Sequence, residues 1–355
     1  MTIDELTATG RELAVRGRVF VSADERPATV DRRVGRLGLE PGPEARRAYR
    51  EALFTAPCLP GAVSGIVVDE EVLSQAAGDG TAFPDLLSGR GLLWGVRMDT
   101  ALTRLAGCPG ETVTEGLGGL GSRLTFARFL GARFARWRAV FAVGDGRPSP
   151  EAVTANARSV ARFAALCQVQ GLVPVMSVRM LRVGHHDLER CGTAGKEVLR
   201  AIVTELADHG VDLSGVVFGT SMVLPGTAAP SMASVDEVAA ATRLCLLSTV
   251  PEAVPAIVLS TTGQSATAAA AHLNAVVAEG ELPWRLVLSS GPTLQEEVLR
   301  AWCGRPGGSL DAHQALAHRL ACHQAAARGD WSPELEDMCV DLRPRPAPAL
   351  APAPG

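Results

Sequence analysis

Short apolar runs alternate with longer segments of helical periodicity along most of the chain. Each run is rich in Val, Ile, Leu and Phe and lacks the regular polar alternation of a half-exposed strand. Eight such runs occur, at residues 18–24, 62–69, 91–99, 134–144, 172–181, 216–223, 256–263 and 285–291. Continuous apolar strands of this kind are typical of a parallel sheet that is covered by helices.

Segments with helical periodicity separate most of these runs, and several begin with Ser, Thr or Pro, as helices commonly do. They predict helices over residues 111–131, 150–170, 187–209, 234–248, 264–278 and 309–328. Eight strands that alternate with helices predict an α/β protein with the (β/α)8 architecture of a TIM barrel. A doubly wound sheet is the alternative, but no G-x-G-x-x-G motif follows the first strand to support it.

The predicted barrel occupies residues 1–342 as one domain. Residues 343–355 read RPRPAPALAPAPG, a Pro/Ala-rich composition that predicts a disordered tail. The N-terminal residues contain no continuous apolar stretch, and no run in the chain approaches the roughly 18 apolar residues that a membrane span needs. We therefore expect a cytoplasmic protein without a membrane partner.

Composition narrows the classes of partner. The 355 residues carry a formal net charge of -4, whereas proteins that bind nucleic acid in general present a basic surface to phosphates. We expect a small-molecule partner and no nucleic acid. The 8 cysteines form no C-x-x-C pair. His313, His318 and His323 are spaced five apart, which does not place them on one helical face. The sequence therefore predicts no metal site and no cofactor.

Seven segments resemble the animal-type class I fructose-bisphosphate aldolases. They are SADE (22–25), GETVTEGLGGL (110–120), FARWR (134–138), HHDLERC (185–191), TVPEAVPAI (249–257), TGQSATAAAAHLNAV (262–276) and LRAW (299–302). The resemblance is collinear over roughly residues 5–325. It implies a barrel with its site at the C-terminal mouth, and it implies a homo-oligomer, either a dimer or a tetramer.

The family's mechanism uses a lysine on the sixth barrel strand, which condenses with a ketone to give an iminium that acts as an electron sink. The matching position here, before TSMVLPG, is Gly219. Of the 34 basic residues, Lys196 alone is a lysine, and it falls in the helix after the fifth strand, where we expect it to face solvent. The sequence therefore predicts that the chain forms no imine.

Other functional positions of the family carry over one at a time. The resemblance implies that Asp24 is the retained aspartate of the first strand and that Arg138 is a retained arginine. Arg97 and Arg136 stand where the family has lysines on the third and fourth strands. Ser177 stands where the family has its acid/base glutamate on the fifth strand.

A second glutamate of the fifth strand corresponds to Arg179. The arginine that holds a phosphate on the eighth strand corresponds to Pro292. Small residues still follow the last two strands, at Thr261–Gly263 and Ser289–Gly291. Barrels commonly bind phosphate at this place, although such residues also suit an ordinary turn between a strand and a helix, and both interpretations stay open.

Residues two apart on a strand face the same side, so several polar pairs should point into the barrel together. The predicted catalytic residues are Asp24, Arg97, Asp99, Arg136 and Ser177. The predicted substrate-binding residues are Arg138, Arg179, Gly219, Ser221, Thr261, Thr262, Gly263, Ser289, Ser290 and Gly291. Forked hydrogen bonds from the arginines would hold an anion, and Asp24, with Glu25 or Asp99 as alternatives, would transfer protons. Alternatively, Asp24 with Arg136 and Arg97 with Asp99 form a salt-bridge plug that closes the pocket.

These observations lead to a ranked expectation about function. The favoured hypothesis is a repurposed, imine-independent enzyme of bacterial secondary metabolism, which acts on a small anionic or carbonyl-rich substrate. It would form or cleave a carbon–carbon bond, dehydrate or cyclise. A non-catalytic homologue that binds a metabolite or a partner is the alternative. Ordinary fructose-bisphosphate aldolase activity is the least favoured hypothesis, because Gly219 carries no amine.

Overall fold

A closed barrel of eight parallel strands organises the computed structural model, which describes residues 2–304 and 308–338. The barrel strands are β1 (Val19–Ala23), β2 (Val63–Val68), β3 (Trp94–Arg97), β6 (Phe134–Phe141), β7 (Val173–Met180), β8 (Val217–Ser221), β9 (Ala256–Ser260) and β10 (Arg285–Ser290). They pair in chain order, and β1 closes the ring against β10. Every predicted apolar run contains one of these strands, so the prediction of a TIM barrel is confirmed.

Helices follow most of the strands and cover the outside of the barrel. They are α1 (Ile3–Glu12), α2 (Pro27–Arg36), α3 (Pro43–Phe54), α4 (Leu59–Ala62), α5 (Phe83–Gly89), α6 (Leu120–Phe129), α7 (Pro150–Val169), α8 (Leu188–Asp208), α9 (Val235–Leu247), α10 (Ala266–Ala278), α11 (Pro292–Trp302), α12 (Ser309–Arg328) and α13 (Glu334–Met338). Two short 3-10 helices lie at Glu70–Ser74 and Leu213–Gly215. Several helices begin at side-chain caps, such as Ser149 before α7 and Ser234 before α9.

The predicted helix over residues 111–131 was wrong in its first half. Thr112–Glu115 forms β5, which pairs antiparallel with β4 (Ala101–Arg104) outside the barrel, and α6 begins only at Leu120. The segment TVTE is rich in β-branched residues, which favour strands. Gly116 and Gly119, with φ of +132° and +67°, adopt backbone conformations that a helix does not contain.

Two layers of apolar side chains hold the fold together. The larger layer lies between the strands and the helices, and the smaller one fills the N-terminal half of the barrel. Inside the barrel it includes Phe20, Val67, Phe134, Val175, Val217, Val258 and Val287. Leu6 of α1 and Leu13 and Ala14 just beyond it belong to the same cluster, so α1 closes the N-terminal end of the barrel.

Alternation along the strands then fixes the next layer. Two residues beyond each of these seven interior residues, and beyond Gly95 on β3, stands a polar residue or a glycine on the same side of the strand. This layer consists of Ser22, Asp69, Arg97, Arg136, Ser177, Gly219, Ser260 and Ser289. The chain therefore has an apolar interior at one end of the barrel and a polar one at the C-terminal mouth.

Two predictions concern the rest of the chain. No helix in residues 2–304 and 308–338 has the length and apolar character that crossing a membrane requires. The single domain over residues 1–342 stays a prediction. The predicted tail, residues 343–355, lies outside the described residues.

Candidate active site

A pocket of about 430 Å³ opens at the C-terminal ends of the barrel strands. Its lining consists of Ser22, Asp24, Glu25, Arg26, Thr29, Arg33, Leu102, Arg136, Arg138, Val140, Arg179, Ser260, Thr262, Ser289, Gly291 and Pro292. Five arginines and two carboxylates thus face one cavity. In a barrel, this end is the place where loops and strand ends form active sites.

A hydrogen-bonded network centred on Arg136 forms the floor of the pocket. Arg136 Nη1 lies 3.0 Å from Asp24 Oδ2 and 2.9 Å from Ser22 Oγ, and Nη2 donates to Ser177 Oγ at 3.0 Å. Ser22 Oγ in turn lies 2.9 Å from Ser289 Oγ. Burial lowers the pKa of Arg136, and Asp24 offsets part of that effect. Strands β1, β6, β7 and β10 are therefore tied together across the barrel.

Arg97 and Asp99 sit beside this floor. Arg97 pairs with Asp69 through Nη2 and donates to the backbone oxygens of Asp24 at 2.9 Å and Asp99 at 2.6 Å. Arg97 Nη1 lies 3.5 Å from Asp99 Oδ2. The side chains of Asp69, Arg97 and Asp99 are all buried. Neither Arg97 nor Asp99 lines the pocket. Their contacts make them supports of the pocket wall.

Asp99 is shared by two arginines that do line the pocket. Arg138 Nη2 lies 2.9 Å and Arg26 Nη2 lies 3.5 Å from Asp99 Oδ2. Burial alone would raise the pKa of Asp99, but the charge and hydrogen bonds of Arg138, aided by Arg97, outweigh burial and lower it. Burial acts against Arg138 too, yet Asp99 and Asp24 raise its pKa. Both groups are therefore charged at neutral pH.

Glu25 differs from the aspartates because its pKa lies near neutrality. Burial raises the pKa of Glu25 to about 7, and Arg33, whose Nη2 lies 2.7 Å from Glu25 Oε1, limits the rise. Groups with a pKa close to the working pH exchange protons most effectively in catalysis. Glu25 is thus a pocket-lining carboxyl suited to proton transfer, a task for which the sequence had indicated Asp24 first and Glu25 or Asp99 as alternatives.

Arg179 is the pocket arginine without an acidic partner. Within residues 2–304 and 308–338 its guanidinium makes no hydrogen bond and no ion pair. Burial, together with the charges of Arg136 and Arg138, lowers the pKa of Arg179 to about 10. It therefore remains protonated at neutral pH, and its side chain lines the cavity.

Gly219 lies on β8 beside Ser177, its register partner on β7. A Cβ at this position would stand 3.1 Å from the Met176 carbonyl oxygen and 3.5 Å from Ser177 Oγ, so it would point towards the polar layer. Lys196 lies on the outer helix α8, half-buried, and does not line the pocket. The cavity wall consequently presents no amine.

The ends of β9 and β10 divide the predicted small residues into two groups. Thr262, Ser289 and Gly291 line the pocket, and Ser260, which the prediction omitted, lines it with them. Thr261, Gly263 and Ser290 are outside the lining. Alternation turns Thr261 and Ser290 to the other side of their strands, where Thr261 Oγ1 donates to the Ser289 carbonyl at 3.1 Å. The carbonyl of Gly263 accepts a hydrogen bond from Arg182.

Two further predicted residues support the pocket rather than line it. Ser221 Oγ accepts a hydrogen bond from the Met180 amide at 3.3 Å, and Ser177 Oγ is bonded to Arg136. Asp69 was missed by the sequence analysis. The rule of alternation that selected Arg97 would have selected Asp69 and Ser260 if it had been applied to β2 and β9.

The two interpretations offered for the polar residues coexist in the structure. The ion pair between Asp24 and Arg136 is present, and Arg97 approaches Asp99 but pairs more closely with Asp69. These pairs do not close the barrel, because the cavity remains above them. The salt bridges form the floor and walls of an open pocket.

One group of potential metal ligands occurs away from the pocket. His318, Cys322 and Glu336 place one ligand atom each within 4.8 Å of one another, on α12 and α13. The Glu336 carboxylate, however, forms an ion pair with Arg319 at 2.8 Å and accepts from Trp331 Nε1 at 3.2 Å. This carboxylate is therefore already engaged, and we assign no metal to it.

The chain is similar to known proteins over nearly its whole length. Residues 5–341 match the family described as "Glycolytic: Fructose-bisphosphate aldolase class-I". A protein of Xylella fastidiosa named "Probable fructose-bisphosphate aldolase class 1" is 40% identical over 332 residues, 93% of this chain and 99% of the relative. The cytoplasmic aldolase isozyme of Cicer arietinum is 39% identical over 92% of each chain.

Solved structures agree with the sequence comparison. Fructose-bisphosphate aldolase of Plasmodium falciparum, crystallised with TRAP and a small-molecule inhibitor, superposes with a TM-score of 0.91 at 32% identity. The superposition covers 93% of this chain and 96% of the other.

These comparisons correct the functional ranking drawn from the sequence. We expected a repurposed enzyme of secondary metabolism and placed ordinary aldolase activity last, but relatives about 40% identical over 93% of the chain are named fructose-bisphosphate aldolases. That expectation gave the substituted site positions, Gly219 above all, more weight than similarity that extends through the whole barrel. The chain belongs to the class I fructose-bisphosphate aldolase family.

Proposed function

We propose that this protein is a carbon–carbon lyase that performs a reversible aldol cleavage on a phosphorylated hydroxyketone, fructose 1,6-bisphosphate being the first substrate to test. The names of its relatives support this substrate class. The observation that carries the proposal is the open, arginine-lined pocket at the C-terminal mouth of the barrel.

Guanidinium groups take the part of the iminium in the proposed mechanism. In an aldol cleavage, a base removes the proton of the hydroxyl group two carbons from the carbonyl carbon. The carbon–carbon bond then breaks, and its electron pair forms an enolate on the carbonyl fragment. Arg136 and Arg138 line the pocket and would stabilise the enolate oxygen by charge-assisted hydrogen bonds.

The carboxyl groups of the site have two different roles, to position the arginines and to transfer protons. Asp24 and Asp99 hold Arg136 and Arg138 in place through ion pairs of 3.0 and 2.9 Å. Glu25, with a pKa near 7, would accept the hydroxyl proton as a carboxylate and return a proton to the enolate carbon as an acid. Arg97 and Ser177 act behind them, through Asp69 and Arg136.

Hydroxyl groups at the ends of β9 and β10 suit one phosphate group. Thr262, Ser289 and Gly291 line the pocket, and Ser289 and Gly291 lie just before α11, whose N-terminus attracts an anion. Pro292 supplies no amide donor there, so the hydroxyl groups add donors that the first residue of α11 lacks.

Independence from a Schiff base is part of the proposal. The lysine content of the chain supports this independence. Gly219 has no side chain, and Lys196 is the one lysine of the sequence and lies on α8, outside the pocket lining. Lys196 also lies apart from the arginines and carboxylates of the pocket, which an imine would need for proton transfer and charge stabilisation.

The test combines turnover with trapping. Purified protein should cleave fructose 1,6-bisphosphate. A coupled assay measures the released triose phosphate through the oxidation of NADH. Lys196→Gln should retain the rate, and borohydride with dihydroxyacetone phosphate should leave the intact mass unchanged. Absence of cleavage would overturn the lyase proposal. A reduced adduct on Lys196 would overturn its imine-free mechanism.

We extend the proposal to location and assembly. Relatives are named cytoplasmic or cytosolic isozymes, which supports a cytoplasmic location. The family resemblance supports a homo-oligomer, which sedimentation would test. A monomer at micromolar concentration would contradict this part.

A further inference from the structure

We propose that Arg179 anchors an oxyanion of the substrate, a carboxylate or a phosphate, and that it is the residue that sets the charge of the molecule this pocket accepts. The inference rests on the proposed function only in naming the bound molecule a substrate. It assigns to Arg179 of β7 an anionic subsite in the cavity that Ser260 and Thr262 also line.

The pairing of charges in the pocket singles out Arg179. The four other arginines of the lining each face a carboxylate. The nitrogen–oxygen distances are 3.5 Å for Arg26 with Asp99, 2.7 Å for Arg33 with Glu25, 3.0 Å for Arg136 with Asp24 and 2.9 Å for Arg138 with Asp99. In the described part of the chain, the Arg179 guanidinium alone among the five has no such partner.

An unpaired guanidinium beside other cations is unfavourable. Five arginines of the lining share three carboxylates, those of Asp24, Glu25 and Asp99, which leaves a surplus of two positive charges when Glu25 is ionised. Burial and the like charges of Arg136 and Arg138 act against the charged form of Arg179. An anion in the cavity would relieve this repulsion, because opposite charges attract strongly where little water remains.

The surroundings of Arg179 suit an oxyanion. Its planar fork can donate two parallel hydrogen bonds to a carboxylate or a phosphate. At the end of β9, Ser260 Oγ donates to Thr262 Oγ1 at 2.9 Å, and the Thr262 hydroxyl, in the same cavity, can donate to an anion. The resemblance implies a glutamate at this position, so the chain replaces a negative group with a positive one.

Binding measurements test the subsite without turnover. Isothermal titration with inorganic phosphate and, separately, with malonate would be made on the wild type, Arg179→Gln and Arg179→Lys. Arg162→Gln is the charge-matched control, because Arg162 is exposed on α7. We expect Arg179→Gln to weaken binding of at least one probe about 10-fold, Arg179→Lys to weaken it less, and Arg162→Gln to leave it unchanged.

The two probes distinguish the sources of the oxyanion, because the one that loses more affinity in Arg179→Gln identifies the group that Arg179 holds. The proposal is overturned if the wild type binds neither probe, or if Arg179→Gln binds both as the wild type does.

Thermal unfolding without ligand supplies an independent readout. Because Arg179→Gln removes an unpaired charge that two cations repel, its Tm should equal or exceed that of the wild type. A Tm several degrees lower would show a structural role and overturn the proposal. A wild type that binds an anion through Arg179 but does not cleave fructose 1,6-bisphosphate would overturn the lyase proposal alone. If Arg179→Gln binds and cleaves as the wild type does, only the present proposal fails.

Discussion

Two substituted positions determine what the individual residues of the pocket can do. Gly219 presents no amine, so an electron sink must come from groups that the pocket contains. Arg136 occupies the centre of the polar layer and stays charged, which suits it to stabilise an oxyanion and not to act as a base. Glu25 supplies the group that exchanges protons near neutral pH. These residues place electrostatic stabilisation, and not covalent catalysis, at the centre of the proposed reaction.

The ion pair between Asp24 and Arg136 gives a first prediction at this scale. Arg136→Met should lower the free energy of unfolding by about 3 kcal/mol or more, because it removes the close partner of the buried Asp24 carboxylate and leaves Arg97 Nε, at 3.9 Å, as its ion-pair partner. The double variant Asp24→Asn/Arg136→Met should recover much of that loss, since both charges are gone. Urea unfolding measures both values, and Arg162→Met is the exposed control. A loss below about 1 kcal/mol in Arg136→Met would contradict the expected coupling.

The pKa of Glu25 gives a second prediction. A carboxyl whose pKa is raised on folding binds its proton more tightly in the native state, so its contribution to stability falls as pH rises from 4.5 to about 7. Glu25→Gln removes this pH-dependent contribution to stability. The difference in urea midpoint, variant minus wild type, should therefore increase from pH 5 to pH 7.5. If Glu25 transfers protons, the variant should also lose the inflection near pH 7 in kcat/KM. A constant difference in midpoint would contradict the raised pKa.

The sequence patterns that predict the helices and strands differ in strength. Eight apolar runs predicted the eight barrel strands because buried parallel strands are apolar on both faces. The hairpin β4–β5 was missed because its four-residue strands lie outside the barrel and are partly exposed, so no apolar run indicates them. Helix α1 has amphipathic spacing in the sequence, but its position at the N-terminal end of the barrel follows from tertiary packing.

That position gives a prediction for α1. Leu6, 2% exposed, belongs to the cluster that fills the barrel interior. Leu6→Ala should lower the free energy of unfolding by about 2–4 kcal/mol, because it removes buried methyl groups and leaves a cavity. Leu244→Ala on α9 is the matched control, since Leu244 is 59% exposed and should cost less than about 0.5 kcal/mol. Equal losses in the two variants would show that α1 does not close the barrel.

At the scale of the whole molecule, the barrel separates stability from chemistry. Its N-terminal half is filled by apolar side chains, and its C-terminal mouth holds the charged network and the cavity. Bound anion should therefore stabilise the fold without rearranging its core. The chain as a whole has a net charge of -4, while the pocket itself carries a positive surplus that attracts anions.

This separation predicts how ligand affects the folded protein. Fructose 1,6-bisphosphate should raise the Tm in proportion to the logarithm of its concentration, by mass action, and stabilise by about 2.7 kcal/mol at 100 times its Kd. The shift should shrink as sodium chloride is added, because salt screens the arginines. Leu6→Ala should show the same shift from a lower starting Tm. A shift that is independent of salt would indicate binding away from the pocket.

The sequence alone determined the barrel, the absence of a strand-six amine and the polar pairs at the strand ends, because strand burial and the period of two are local properties of the chain. Only the tertiary structure decided which arginine meets which carboxylate, since these contacts join β1, β2, β3 and β6 across the barrel. It also decided that Thr261 and Ser290 turn away from the cavity, and that Glu25 has a pKa near 7. Those outcomes depend on distance and burial, which become defined only when the eight strands close.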